Sequence, residues 1–150
     1  MRLSARVDYA LRAAAELAVA GDARPVKGEA IATAQGIPGK FLENILLQLR
    51  HAGLVRSQRG AEGGYWLARP ANAISLADII RALDGPLANV RGERPEDITY
   101  VGSAVALQRV WIALRASERA ILEAVTLADI AADTLPARVA DLAGDPLAWS

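Results

Sequence analysis

The chain has 150 residues, enough for one domain or a small domain with an appendage. Hydrophobic residues make up 53%, so a sizeable core can be buried, yet no apolar run approaches the ~20 residues a membrane-spanning helix needs. Seventeen basic residues balance seventeen acidic ones, cysteine is absent and His51 is the lone histidine, which excludes disulfides, cysteine nucleophiles and cysteine-ligated metal sites.

Leu3, Val7, Leu11, Ala14, Leu17 and Ala18 recur at three- and four-residue steps and predict a first helix over 3–20. Ser4 is placed to cap its start and Gly21 to follow its end. The opening residues hold an acidic side chain early and no secretory core, so the expected location is cytoplasmic. Residues 22–27 read as a loop and 28–34 as a short helix with Ile31 and Ala32 inward. Gly36 and Pro38 make a tight connection. A helix over 39–52 follows, with Phe41, Leu42, Ile45, Leu46 and Leu49 as a broad apolar face and Gly53 as its stop.

Residues 53–70 then read as two short strands around a glycine-rich, arginine-bearing tip. Gly60, Gly63 and Gly64 are expected to supply positive φ there, and Pro70 ends the return strand. A lone hairpin is marginal in water, so it must pack on the helical pair before it. A helix-turn-helix followed by a basic hairpin is a winged helix, which makes DNA the first partner to test.

Ser75 and Asp78 have capping-box spacing at the head of a helix over 74–83, stopped by Asp84-Gly85-Pro86. Residues 87–101 lack a helical period and read as a loop. A long helix is expected over 103–125, then a Thr126-capped short helix to about Thr134, then a loosely ordered tail. The apolar residues of the long helix, among them Val110, Trp111, Leu114, Ile121 and Leu122, exceed what one small winged helix can cover, which implies a homodimer.

Charge divides with the motifs. Residues 1–69 hold ten Lys/Arg against six Asp/Glu, a net +4; residues 70–150 hold seven against eleven, a net −4. The basic half contains the helix-turn-helix and hairpin, as a DNA-reading half would. Side chains at the start of a recognition helix reach base edges in the major groove. Here these are Gly39, Lys40, Glu43, Asn44 and Gln48. Asn or Gln binds adenine bidentately, Lys reaches guanine or phosphate, and Gly39 leaves room for close approach. Arg56, Ser57, Gln58 and Arg59 are wing candidates for phosphate or minor-groove contact, and Arg2 and Ser4 are candidates for a phosphate at the first helix N-terminus. The alternative for each is an ordinary solvated face. His51 fits a helix-end role.

Four blocks, in order, carry a family resemblance: Met1-Arg-Leu-Ser with Asp8-Tyr-Ala-Leu-Arg-Ala13; Ile37-Pro38 through Phe41-Leu42-Glu43 to Ala52-Gly53-Leu54-Val55; Arg59-Gly60 with Gly63-Gly64-Tyr65; and Ile74-Ser75-Leu76-Ala77-Asp78-Ile79-Ile80. Over roughly residues 1–130 they strongly resemble the Rrf-two (Rrf2) family of bacterial winged-helix transcription regulators, to which IscR, NsrR and CymR belong. The resemblance implies a homodimer, with a long helix crossing to the partner, that binds a near-palindromic double-stranded operator. Trp111 sits where members often carry a tryptophan. Many members hold an iron–sulfur cluster on three cysteines before that helix. Aligned on Trp111, these fall near Glu93, Thr99 and Val105, and none is cysteine. Asp8 matches an acidic ligand of some members and reads here as a structural charge paired with an arginine. No cluster is expected.

The fold class is therefore mainly α with a small β-hairpin wing, a winged helix-turn-helix plus a long dimerisation helix. The expected layout is a DNA-binding domain over 1–86, a sensor-type loop over 87–102, the dimerisation helix and its short follower over 103–135, and a tail over 136–150. The expected function is a homodimeric, cluster-free, sequence-specific regulator, a repressor. Control would come from a small molecule, from a partner protein, or from no effector. Trp66, Tyr100 and Trp111 are candidates to line an effector pocket, the alternative being core or interface filler. The competing reading is a winged-helix protein–protein module without direct DNA binding; the wing arginines favour DNA. Nothing supports an enzyme: there is no Ser/His/Asp constellation around His51, no P-loop and no dinucleotide fingerprint.

Overall fold

The computed structural model describes residues 1–149. Helix α1 (Ala5–Ala20) is the element the others gather on. It packs against α2 (Gly28–Gln35), α3 (Gly39–His51), α4 (Leu76–Asp84) and α6 (Leu127–Ala132), and against strand β2 (Gly64–Leu67). Its sequence explains this. Ala10, Ala13 and Ala14 are fully buried, and small side chains let neighbouring backbones come close on several sides. Ser4 caps it, accepting from the Val7 N–H at 3.2 Å. The helix starts at residue 5, two positions later than the apolar period suggests, because that cap sets the boundary.

Leu42, Ile45, Leu46 and Leu49 of α3 are buried against α1, with Ile31, Leu54, Val55, Ile74 and Leu127 completing the main core. Truncating one of these to alanine would cost about 2–5 kcal/mol. Phe41 departs from the expected apolar face. It is 52% exposed and meets Tyr9 edge-on with ring centroids 6.0 Å apart. It lies one position off the buried stripe, so the helix turns its ring to the rim of the core.

β1 (Val55–Gln58) pairs antiparallel with β2, Arg56 opposite Trp66 and Ser57 opposite Tyr65. A third segment, which reads as plain loop in the sequence, completes the sheet: Val26 exchanges two backbone hydrogen bonds with Tyr65, at 2.9 and 2.8 Å. Two close approaches here require glycine, Gly64 where the Val26 segment crosses and Gly63 inside the hairpin tip. A Cβ on Gly64 would stand 2.6 Å from the Val26 carbonyl oxygen, and one on Gly63 would stand 2.1 Å from that of Gln58. Gly63 does not adopt the positive φ expected of it; only Gly60 and Gly64 do. Space rather than backbone freedom requires the glycine at 63.

The predicted capping box at Ser75 is present, and the Thr126 cap proves to be a second one. Ser75 and Asp78 open α4, Thr126 and Asp129 open α6, and the caps lie side by side through a Ser75–Thr126 bridge. Leu76 donates to the Val125 carbonyl at 3.0 Å and Leu127 donates to that of Ile74 at 2.9 Å. The chain thus leaves the winged helix after α4 and returns to its core at α6. Between them runs α5 (Leu107–Leu122), shorter than the 103–125 expected; residues 102–104 form a 3-10 turn instead. The tail is also more regular than expected, with α7 over Ala137–Ala143, although its residues stay mostly exposed.

Candidate nucleic-acid interface

Helices α2 and α3 on one side and the hairpin on the other wall one groove of about 580 Å3. Lys27, Glu43, Arg50, Ser57 and Arg59 line it, so cations enter it from the loop before α2, from α3 and from the wing. Arg50 and Lys27 were not among the sequence candidates. Arg50 Nη1 donates to the Ser57 hydroxyl at 3.1 Å, joining recognition helix to wing. The Lys27 ammonium donates to the Ala61 carbonyl at 2.6 Å and holds the tip of the wing. The last turn of α3 carries Arg50 and His51, both exposed and both favourable at a helix C-terminus.

Lys40 and Asn44 are exposed on α3, and Gly39 opens the helix with free space around its Cα. Arg6 Nη2 donates to Asn44 Oδ1 at 3.2 Å. Leu47, also exposed, adds an apolar spot to the same surface, suited to a thymine methyl. Gln48 lies deeper. It is half-buried, with its Oε1 out of solvent and unpartnered, so its amide is the least available of the group.

The wing candidates divide between two faces. Ser57 turns toward α3, while Arg56 lies on the opposite face with its guanidinium 5.4 Å from the Trp66 ring. Arg59 is exposed at the tip. Arg2 is exposed ahead of α1, and the Ser4 hydroxyl is committed to the α1 cap. Asp8 pairs with Arg12 at 3.1 Å, the structural role expected for it.

The three aromatics expected around one pocket do not meet. Trp66 is in the wing under Arg56. Tyr100 and Trp111 do come together, with the indole N–H donating to the Tyr100 hydroxyl at 3.0 Å. The strand register puts Trp66 opposite Arg56, and it is absent from the cavity that Tyr100 and Trp111 line.

On α5, Trp111, Arg115, Glu118 and Leu122 face the body of the chain, and Leu107, Val110, Leu114 and Ile121 form an exposed apolar stripe beside them. Two carboxylates fix the helix through three ion pairs. Glu96 accepts from Arg115, whose hydrogen bond and charge hold its carboxyl below the usual glutamate range. Glu123 accepts from Arg119 and from Arg81 of α4, and its carboxyl is lowered by those bonds in that order.

Among the described residues no group of three His, Cys, Asp or Glu side chains is placed to hold a metal. Glu93, Thr99 and Val105 are exposed and separate, and the sequence has no cysteine, so these residues do not form a site for a cysteine-ligated cluster. No described helix is long and apolar enough to cross a membrane.

A family model described as "Iron-dependent Transcriptional regulator" (Rrf2) matches residues 3–133. The Mycobacterium tuberculosis (strain ATCC 25618 / H37Rv) protein Rv1287 is 54% identical over 145 residues, covering 97% of this chain and 90% of that protein. The structure of CymR, the global cysteine regulator of B. subtilis, superposes with a TM-score of 0.76 at 34% identity, over 89% of this chain and 98% of that one. T. potens IscR superposes at 0.72 and 34%, over 89% and 88%.

Proposed function

Because this chain belongs to the Rrf2 family of transcriptional regulators, we propose that it acts as a homodimeric repressor that reads a near-palindromic operator. That it is a DNA-binding regulator of the winged-helix class, and not an enzyme, follows from the family and the fold. The observation that carries the finer reading is the Arg50–Ser57 bond, which sets the recognition helix and the wing as two walls of one cation-lined groove. In this reading α3 enters the major groove and Lys40 and Asn44 reach base edges. Arg59 and Arg50 meet phosphates beside it, and Gly39 lets the backbone approach. Arg2 serves the same backbone contacts from the arm before α1.

The homodimer reading rests on the apolar stripe of α5. Val110, Leu114 and Ile121 are 52, 41 and 36% exposed although they share one side of the helix. Covering them with the same stripe of a second copy removes that surface from water and gives an isologous contact. Two recognition helices related by such an axis would fall on half-sites one helical turn, or a small multiple, apart. Cytoplasmic location and repression by operator occupancy complete the reading. Gel-shift titration with DNA from upstream of its own gene tests it, and binding there at low salt supports it. The protein–protein alternative predicts no DNA affinity under any salt condition.

A further inference from the structure

Helix α3 buries its large apolar side chains almost completely, with two exceptions. Leu42, Ile45, Leu46 and Leu49 are at most 2% exposed, whereas Phe41 and Leu47 are 52% and 43% exposed. Asn44, also exposed, lies midway between the two, so that residues 41, 44 and 47 form one row at three-residue steps along the helix. A single exposed leucine is ordinary on a protein surface. Here two large apolar side chains bracket the amide that Arg6 of α1 holds by a hydrogen bond.

Phe41 is also the apolar floor of a shallow depression of about 330 Å3, whose other lining residues are Arg6, Lys40 and Asn44. Its ring rests edge-on against Tyr9, which supports it from the α1 side. Two cations beside the exposed ring suit a polyanion. They do not suit the centre of a protein–protein contact, where charge and lysine above all are depleted. The occupant that matches this face is therefore nucleic acid.

The spacing then narrows the chemistry. Cβ atoms three residues apart on a helix are about 5–6 Å from one another, and base pairs stack about 3.4 Å apart. With Asn44 on one base pair, Phe41 and Leu47 reach the pairs before and after it. The apolar group that a base edge offers in the major groove is the C5-methyl of thymine, and G·C pairs present none there.

We propose that α3 reads three successive A·T pairs in each half-site, with Asn44 on the adenine edge of the middle pair and Phe41 and Leu47 each against the thymine methyl of a flanking pair. Phe41 and Leu47 are then specificity-determining residues. The inference rests on the reading of α3 as the recognition helix, proposed above.

The test uses the full chain and the duplexes that it enriches from a random pool, so the natural operator need not be known. The enriched duplexes are expected to share a half-site with three consecutive A·T pairs. In such a duplex each dT is then replaced singly by dU, which removes the methyl and leaves every hydrogen-bonding group in place. Two replacements per half-site should each weaken binding by about fourfold, the worth of one buried methyl group, and the others should change it by less than about twofold. Leu47→Ala should abolish the effect at one of the two positions and Phe41→Ala at the other, with far-ultraviolet spectra checking that each variant folds. The scan on the wild type needs no variant, so a misfolded Phe41→Ala would not rescue the idea. A scan in which no replacement weakens binding overturns the methyl contacts while DNA reading by α3 stands. Sensitive positions that persist in both folded variants do the same, and so do enriched half-sites that lack the A·T triplet. A chain that enriches no duplex at low salt removes the recognition-helix reading, and this inference with it.

Discussion

The Arg6 guanidinium donates to the Asn44 carboxamide oxygen at 3.2 Å, linking the first turn of α1 to the exposed face of α3. A guanidinium only donates, so the contact also fixes which end of the amide is oxygen. It leaves the second lone pair of Oδ1 and both N–H donors of Asn44 for a ligand. One acceptor and one donor side by side are what the adenine N6 and N7 edge requires.

Asn44→Ala should therefore cost roughly 1–3 kcal/mol of operator affinity and relax base preference at one position per half-site. Arg6→Ala should give a smaller loss at the same position, because the amide survives without its orientation. Binding curves against single-base operator variants measure both. Unchanged affinity and preference in the two folded variants would remove Asn44 from the reading surface.

Charging the exposed stripe of α5 should separate the subunits. Leu114→Glu and Ile121→Glu together place two carboxylates where the second copy's apolar side chains would pack. Light scattering should report a dimer for the wild type at micromolar concentration and a monomer or unfolded chain for the double variant. A monomeric wild type contradicts the dimer.

Protein purified without oxygen should carry no iron–sulfur cluster, since the thiolates that would hold one are missing from the sequence. Iron and sulfide assays together with the visible spectrum check this. Stoichiometric iron and sulfide with cluster absorption would contradict it.

The Glu123 pairs with Arg119 and Arg81 should make a small, acid-sensitive contribution to stability. Its carboxyl is lowered in the folded chain, so the contribution is present above the ordinary glutamate value and is lost as pH falls through the lowered one. The side chain is 37% exposed, so the effect is small, under about 1 kcal/mol. Glu123→Gln should melt slightly below wild type near neutral pH, and the gap should close as pH falls below the ordinary glutamate range. A constant gap across that range would place its cause elsewhere.

Much of this architecture was legible in the sequence because local rules wrote it. Ser4, Ser75 and Thr126 mark helix starts through caps that need no tertiary contact, and Leu42, Ile45 and Leu49 mark a buried face by period alone. Four motif blocks did the same for the family. What stayed hidden depends on elements far apart in the chain. Val26 forms a bridge only because Tyr65 arrives beside it, and Arg50 enters the groove only because Ser57 folds back onto it. Trp66 and Trp111 look alike in sequence, yet the strand register sends one to the wing while α5 carries the other to Tyr100. Glu118 did leave a trace, as a charged residue at an inward helical position. That trace means burial only in the folded chain, where Glu118 is 7% exposed.

The central claim is that α3 and the wing together read DNA, and the salt dependence of operator binding tests it most directly. Fluorescence anisotropy with a labelled upstream duplex and with a scrambled duplex, at several salt concentrations, gives affinity, specificity and slope in one experiment. The wild type should prefer the operator by about a thousandfold or more over the scrambled duplex, with affinity falling steeply as salt rises. Arg59→Ala should weaken binding to both duplexes and reduce the slope by about one unit for each phosphate that the guanidinium neutralises. Equal affinity for the two duplexes, or a slope that Arg59→Ala leaves untouched, would contradict the account.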